Sequence, residues 1–395
     1  MIHIKRLFKK IILFFLRSLK FFGLNKYFNL IKEELTVDEY LKRSSGTYHI
    51  FNKILLQESY IHNEYPLIKL LNQEFNIKVK SLSLRIIEER FTLILKNGIV
   101  AGKNAAIITS SNVLLRDLSR EFGNRDTHSI TEGLLIPKVQ KIDGTAAVIL
   151  TAGSNTYYHW IFDILPRLGI IKDSGLESTV QFYVSSKIIY PFQKDTLTLL
   201  GIEEKQLLSI DNTSNAYEIE HLIVPSLPSK LGIVSKYAIQ FLRKNFISET
   251  TVKNPLFKRI YISRKKANNR KLLNESEITE FLEQQGFRIV FPEEFTFKEQ
   301  VEMFYSAEFI VAPHGSGLAN IVFCNSTVKV LELFSSDFFV PCYMDLAAQL
   351  TIKYDYLFSN GVDNYPLKNY WEGLNNDFII PIQFLKDKIF EFENN

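Results

Sequence analysis

From residue 145 onward, short apolar runs alternate with helix-forming segments, and this alternation constrains the fold more than any other feature of the sequence. The continuous apolar runs at 146–150 and 309–312 predict strands that are buried on both faces. Strands that alternate with helices are typical of parallel strand–helix–strand units. A polar segment that ends at Pro255 separates two such series. We therefore predict an α/β protein in which two doubly wound, Rossmann-like domains face a central cleft.

The length of 395 residues also favours two domains, because single hydrophobic cores stop growing near about 250–300 residues. We predict a first domain over residues 31–250, with a β-rich start, and a second domain over residues 251–360. Within the β-rich part, the Asn97–Gly98 pair predicts a hairpin or tight turn. Residues 361–395 are predicted to form a tail or helix that packs back on the first domain.

The basic charge is concentrated at the N-terminus. Residues 1–30 carry seven basic side chains and no acidic one, so the net charge of +4 leaves −3 on the rest of the chain. The slightly acidic chain beyond residue 30 is a poor nucleic-acid binder, because affinity for nucleic acids depends on basic side chains that neutralise phosphates. The apolar run at 11–16 is too short for a membrane span, which needs about 20 residues. On a helical wheel residues 1–25 have a basic face and an apolar, Phe-rich face, which predicts a helix lying on an anionic membrane surface. The alternative is a helix that docks on its own domain.

The two cysteines indicate the compartment. Cys324 and Cys342 have no Cys-x-x-Cys partner and no histidine at zinc-ligand spacing. Lone cysteines in a large chain suit a reducing environment, where they pack as small apolar side chains. We therefore expect a cytoplasmic protein, attached peripherally to the inner face of the membrane.

A glycine-containing turn at residues 313–320 follows a predicted buried strand and opens a predicted helix. Glycines at this position let backbone N–H groups approach an anion, and His314 could donate to a phosphate oxygen. Glu332 ends the next predicted strand, where its carboxylate could accept hydrogen bonds from a ribose. The same spacing resembles a dinucleotide site, although Asn320 replaces its third glycine. A nicotinamide-dependent oxidoreductase is therefore one alternative, and a turn without a ligand is another.

Two further groups of residues suit the chemistry of a transferase. Arg264 and Arg270 follow a predicted strand and are expected to face the same cleft as the glycine turn. Cations at that place suit the binding of a diphosphate. The alternative is a basic loop that is exposed to solvent. His159 and Asp163 are four residues apart and share a helix face. A carboxylate beside an imidazole raises its basicity, so the pair could deprotonate an acceptor hydroxyl; a buried structural histidine is the alternative. The sequence has no Asp-x-Asp, which argues against metal-anchored nucleotide-sugar binding, so we expect no metal.

Taken together, these residues resemble glycosyltransferase family 61, which includes bacterial capsule and surface-polysaccharide enzymes. The resemblance runs from about residue 150 to 335 and does not cover residues 1–140. The matching segments are 159–168, 262–264, Arg270, 274–275, 299–300, 314–320 and 330–333. Their shared order is far more specific than any single segment.

The resemblance implies a GT-B fold, a nucleotide-sugar donor, transfer without a metal ion or other cofactor, and inversion at the anomeric carbon. The residues that it assigns to the donor diphosphate are Arg264, Arg270, His314, Gly315, Ser316 and Gly317. Glu332 and Asn320 would bind the ribose and nucleoside, and either Asp163 or His159 would be the base. The second domain would take the donor, and the first would take a glycan or lipid-linked saccharide acceptor.

The expected function is therefore hexosyl or pentosyl transfer in capsule or surface-polysaccharide synthesis. A non-catalytic, membrane-attached assembly protein is a further alternative. The donor sugar, the acceptor, the linkage and the oligomeric state do not follow from the sequence.

Overall fold

A computed structural model gives the fold. The residues that it describes are 31–43, 50–57, 60–62, 85–87, 89–122, 128–132, 136–212, 215–229, 233–249, 251–359, 373 and 375–394. The amphipathic helix expected in residues 1–30 lies outside them and stays a prediction. None of the helices in the described ranges combines the length and the apolar character that crossing a membrane requires.

The first half of the chain forms a mixed sheet. Its strands are β1 (Glu33–Leu35), β2 (Ile50–Gln57), β3 (Tyr60–His62), β4 (Arg85–Ile87), β5 (Arg90–Ala101), β6 (Ala106–Ile108), β7 (Val113–Leu115), β8 (Val139–Val148), β9 (Phe182–Ser185), β10 (Leu207–Ser209) and β11 (Ala216–Pro225). β3 and β4 pair with each other, and the others form one nine-stranded sheet in the order β1-β7-β6-β5-β11-β8-β9-β10, with β2 also paired to β5. β11, β8, β9 and β10 are parallel, whereas β5 runs antiparallel to β11. The α/β prediction is confirmed, and the antiparallel pairings of this sheet all involve strands of the predicted β-rich start.

The turn predicted at Asn97–Gly98 is wrong, because both residues lie inside the 12-residue strand β5. Asn97 has a φ of 49°, so the strand is locally irregular there. A Cβ on Gly98 would lie 2.8 Å from Leu222 Cδ2, which shows that glycine lets β5 approach β11. The chain reverses four residues later instead, where Ala105 N–H donates to Gly102 O at 3.0 Å.

The second half forms a five-stranded parallel sheet. Its strands are β12 (Arg259–Ile262), β13 (Arg288–Val290), β14 (Phe309–Pro313), β15 (Lys329–Phe334) and β16 (Lys353–Phe358). Their order is β13-β12-β14-β15-β16, a doubly wound arrangement in which the chain leaves β12 and β14 toward opposite edges. The strand–helix alternation predicted for this half is confirmed.

Helices connect the strands and cover the sheets. The α-helices are α1 (Val37–Arg43), α2 (Tyr157–His159), α3 (Leu165–Asp173), α4 (Pro191–Leu199), α5 (Lys236–Phe246), α6 (Glu275–Gln284), α7 (Phe297–Ser306), α8 (Cys342–Leu350) and α9 (Ile382–Asn394). A π-helical turn, Trp160–Ile164, joins α2 to α3. The 3-10 helices are Ser129–Glu132, Glu177–Thr179, Glu204–Gln206, Pro255–Phe257, Pro292–Glu294 and Ser316–Phe323. A capping box begins α7, since Thr296 and Glu299 bond each other's backbone N–H groups.

Side chains of the second sheet alternate between two cores. Ile260 and Ile310 face a core that also contains Trp160 and Leu242 of the first half, so the two halves share apolar packing. Arg243 on α5 adds to this junction by donating to the carbonyls of Val322 and Cys324 at 2.7 and 2.8 Å.

The other face of the second sheet packs against α6 and α9. Leu385, Ile389 and Phe392 on α9 are buried against this face, beside Phe309. Our prediction that residues 361–395 pack back on the first domain is therefore wrong for the described part of that segment. The apolar stripe of α9 covers a face of the second sheet that would otherwise be open to water.

Candidate functional site

A cavity of about 240 Å³ lies where the chain leaves β12 and β14 in opposite directions. In open α/β sheets this position, outside the carboxyl ends of the strands, is where ligands bind. Residues from both strand ends line the cavity, together with residues from the first half. The lining residues are Tyr157, Phe192, Ile262, Ser263, Arg264, Lys266, Ala267, Pro292, Glu293, Gln300, Pro313, Gly315, Ser316, Gly317 and Leu318.

Arg264 brings positive charge to this cavity. Its Nη2 donates to Asn269 O at 3.0 Å, whereas its buried Nε has no hydrogen-bond partner among the described residues. Burial and the nearby charge of Arg270 lower the pKa of Arg264. An anion bound here would offset both effects, because it would neutralise the charge and accept from Nε.

Gly315 is required by the position of that guanidinium. A Cβ at residue 315 would lie 2.0 Å from Arg264 Nη1, well inside any contact distance. The φ of Gly315 is 179°, so close approach rather than backbone conformation explains the glycine. Ser316 and Gly317 follow in the first turn of the 3-10 helix Ser316–Phe323, which the sequence predicted as a short helix.

Glu275 fixes the loop that carries Arg264, and sequence reasoning gave it no role. The side chain is buried at the start of α6, and its Oε1 accepts from Ser263 Oγ at 2.9 Å and from Arg264 N–H at 3.0 Å. Tyr261 Oη donates to the same oxygen at 3.0 Å. A carboxylate at a helix N-terminus is the one signal that could have indicated this residue.

Arg270 and His314 both contact the ring of Phe338. The Arg270 guanidinium lies 4.7 Å above the ring of Phe338, and the His314 ring centroid lies 5.5 Å from the same ring. Arg270 has a φ of 50°, an uncommon conformation for a residue other than glycine. The structure therefore brings together the cations that the sequence predicted for a diphosphate.

Glu332 positions His314 rather than facing the cavity. Glu332 Oε1 lies 2.5 Å from His314 Nδ1, and Tyr354 Oη donates to Oε2. The Glu332 side chain is 0% exposed, so it has no surface from which to contact a ribose, and that predicted role is wrong. Because Nδ1 of His314 is held by the carboxylate, Nε2 is the ring nitrogen left for a ligand.

Asn320 is also buried and connects the two halves. Its Oδ1 accepts from Tyr157 Oη at 2.5 Å, and its Nδ2 donates to Gln300 Oε1 at 3.0 Å. The side chain is fully buried, so the nucleoside contact that we predicted for it is not available in this arrangement. Asn320 instead holds Tyr157 and Gln300, both of which line the cavity.

His159 and Asp163 form a second histidine–carboxylate pair. His159 Nδ1 lies 2.7 Å from Asp163 Oδ2, with side-chain exposures of 17% and 7%. Asp163 belongs to the π-helical turn Trp160–Ile164, a type of turn that is frequent at functional sites. The arrangement predicted for a base and its partner is present, with Nε2 of His159 as the nitrogen not bound to the carboxylate.

Arg167 has a structural role behind this pair. It is 0% exposed and donates to Leu150 O at 2.7 Å and Pro225 O at 2.9 Å. Burial lowers its pKa to about 9, and the nearby charge of Arg120 acts in the same direction. Arg167 thus ties together the carboxyl ends of β8 and β11 immediately behind Asp163.

A series of aromatic ring contacts connects the His159–Asp163 pair with the His314–Glu332 pair. The Tyr158 ring centroid lies 5.2 Å from that of His159 and 5.8 Å from that of Tyr343. Tyr343 in turn lies 5.4 Å from His314. Ring contacts through Tyr158 and Tyr343 therefore connect the His159–Asp163 pair of the first half with His314 of the second half.

Other reactive groups lie outside this site. Cys324 and Cys342 are buried free thiols, and burial raises the pKa of both, which makes them unreactive at neutral pH. In the described ranges, no three His, Cys, Asp or Glu side chains lie together as a group that could hold a metal ion.

Comparison with known proteins places this site in a family. Residues 157–331 match the family model described as Glycosyltransferase 61, which confirms the resemblance found in the sequence. The matched range contains His159, Asp163, Arg264, Arg270 and His314. No curated protein matches the chain.

Proposed function

We propose that this glycosyltransferase, whose residues 157–331 match the family model described as Glycosyltransferase 61, uses a nucleotide-diphosphate sugar as its donor. We further propose inverting transfer to a glycan acceptor in a single displacement that needs no metal ion. The observation that supports this most is that Arg264 lines the cavity, with the charge of Arg270 close enough to lower its pKa. His314 stands in sequence between Pro313 and Gly315, which both line the same cavity. In this proposal the second half binds the donor and the first half binds the acceptor, as in a GT-B arrangement.

The cationic side of the cavity takes the donor diphosphate. The charge of a departing diphosphate must be met by cations and oriented N–H groups when no metal supplies it. Arg264 and Arg270 provide the fixed charge, and His314 Nε2 provides a donor that Glu332 orients. The first turn of the 3-10 helix adds backbone N–H groups at Ser316.

The rest of the cavity takes the nucleoside. Phe192 and Pro292 offer apolar surface to the nucleobase, and Glu293 offers a carboxylate. In this proposal the ribose binds in this part of the cavity and not at Glu332.

His159 is the base in this mechanism, and Asp163 is its positioning residue. Nε2 of His159 takes the proton of the acceptor hydroxyl while that oxygen bonds to the anomeric carbon. The bond from the anomeric carbon to the diphosphate oxygen breaks on the opposite face, so the configuration inverts. Asp163 holds Nδ1–H and stabilises the imidazolium that forms, because its oxygen lies 2.7 Å away.

The nicotinamide alternative loses its main support. It required Glu332 to accept from ribose hydroxyls, but both oxygens of that carboxylate are engaged inside the protein. A non-catalytic assembly protein would not need a base held by a carboxylate, and the experiment below separates it from an enzyme.

The cellular setting is also part of the proposal. We place the enzyme in capsule or surface-polysaccharide synthesis, at the cytoplasmic face of the membrane. This rests on the family resemblance and on the seven basic side chains of residues 1–30.

A screen of nucleotide sugars by thermal shift, followed by turnover assays, tests the proposal. A ligand at 100 times its Kd stabilises the folded protein by about 2.7 kcal/mol. We expect Arg264→Ala to abolish the shift, and His159→Ala to keep it while nucleoside diphosphate release falls by roughly 10²- to 10⁴-fold.

Lys265→Ala is the matched control, since it removes a charge from the same loop without touching the cavity lining. It should behave as wild type. Wild-type turnover in both Arg264→Ala and His159→Ala would contradict the proposal.

A further inference from the structure

The first sheet has a topological switch point of its own, the kind of position at which open α/β sheets bind ligands. β8 lies between β9 and β11, and the chain reaches these neighbours on opposite sides, so a crevice opens at the carboxyl ends of β8 and β11. A shallow surface depression, not an enclosed cavity, lies there. It is lined by residues from both strand ends, from segment 120–122 and from the His159–Asp163 pair. These residues are Arg120, Phe122, Thr151, Ala152, Asp163 and Leu227.

Phe122 is the aromatic member of this depression. Its ring centroid lies 4.7 Å from that of His159, at an angle of 47°, and the side chain is 37% exposed. Gly153 makes this contact possible, because a Cβ there would lie 2.6 Å from Phe122 Cζ and 2.7 Å from His159 Cδ2. The φ of Gly153, +80°, also favours glycine.

Two side chains anchor the backbone that precedes Phe122. Arg120 Nη1 donates to Ser229 O at 2.5 Å, just beyond β11. Glu121 Oε2 accepts from Ser129 N–H at 2.6 Å. An exposed ring on an anchored segment, in contact with a catalytic histidine, is a preformed surface rather than a folding contact.

We propose that this depression is the acceptor subsite and that Phe122 stacks against the sugar ring that bears the reacting hydroxyl. The inference rests on the proposed role of His159 as base. A hydroxyl that gives its proton to Nε2 must lie within about 2.6–3.2 Å of that nitrogen. The ring attached to that hydroxyl then reaches Phe122, whose centroid is 4.7 Å from the imidazole. The apolar C–H face of a pyranose is the chemistry that an exposed aromatic ring recognises.

The test uses the full-length protein and measures nucleoside diphosphate release from a panel of UDP-, GDP-, CDP- and dTDP-linked sugars. A panel of p-nitrophenyl α- and β-glycopyranosides supplies the acceptor probes. We expect at least one glycoside to accelerate release by the wild type in a saturable way. Phe122→Ala should raise its half-saturating concentration at least tenfold, which corresponds to about 1.4 kcal/mol. Nucleoside diphosphate binding should not change, because Phe122 does not line the donor cavity.

Two variants serve as controls. Phe122→Tyr keeps the ring and should keep the half-saturating concentration within about threefold of wild type. Phe390→Ala removes an equally large ring that is 72% exposed on α9, and it should have no effect.

The inference is overturned if Phe122→Ala saturates at the wild-type concentration. It is also overturned if no glycoside accelerates a wild-type enzyme that does turn over its donor. A wild-type protein that binds no nucleoside diphosphate would instead refute the proposed function, so the two failures are distinguishable.

Discussion

Gly315→Ala tests the donor site with a single added methyl group. The new Cβ would lie 2.0 Å from Arg264 Nη1, while an ordinary contact needs about 3.5 Å, so the guanidinium must move by about 1.5 Å. The backbone at residue 315 is extended, and the group in the way is the mobile end of a side chain. We therefore expect the fold to tolerate alanine, with a Tm change of no more than about 2 °C.

Nucleotide binding should suffer much more than stability. Hydrogen bonds to charged groups contribute about 1.5–3 kcal/mol, so moving the guanidinium should raise the Kd by roughly 10- to 150-fold. Isothermal titration with UDP, GDP, CDP and dTDP identifies the tightest ligand for the wild type and then measures the loss.

A double-mutant cycle shows whether the methyl group acts through Arg264. In an Arg264→Ala background the obstacle is gone, and Gly315→Ala should then change the Kd by less than about twofold. Full additivity of the two losses would refute the reasoning, because it would mean that Gly315 contacts the ligand independently of Arg264.

Two further predictions concern the supporting structure. Tyr354→Phe removes the hydroxyl that donates to buried Glu332, and it should lower the free energy of unfolding in urea by about 1–3 kcal/mol; unchanged stability would mean that this hydrogen bond is not needed. Glu299 accepts hydrogen bonds from the hydroxyl and N–H of Thr296, which lower its pKa below the usual 4.5. The ionised Glu299 carboxylate therefore stabilises the fold above pH 4.5, and this stabilisation is lost as the pH falls through the lowered pKa. Glu299→Gln should make the free energy of unfolding less dependent on pH in that range. A variant whose free energy of unfolding falls with pH as steeply as that of the wild type would contradict this.

The convergence of Arg264 and His314 could be predicted from the sequence for a general reason. Each residue comes two positions after an apolar run that is recognisable as a buried strand. Carboxyl ends of parallel strands meet at one edge of a sheet, so residues at those ends approach each other whatever the loops do. The spacing of His159 and Asp163 is local, and it survives the change from α- to π-helical geometry.

The role of Glu332 could not be predicted in the same way. Sequence places it near a strand end, but its burial depends on Tyr354 and Cys342, which come later in the chain and close over it. The turn prediction at Asn97–Gly98 is wrong for a related reason, since the pairing of β5 with β11 overrides a strong local turn signal. Phe122 carries no motif at all, and only the fold brings it to His159.

The position of the two phosphates in a crystal structure with the tightest-binding nucleoside diphosphate tests the central claim most directly. We predict phosphate oxygens within about 2.7–3.2 Å of the Arg264 guanidinium and of His314 Nε2, at the carboxyl ends of β12 and β14. Phosphates bound elsewhere, with both side chains free of contact to them, would contradict the account.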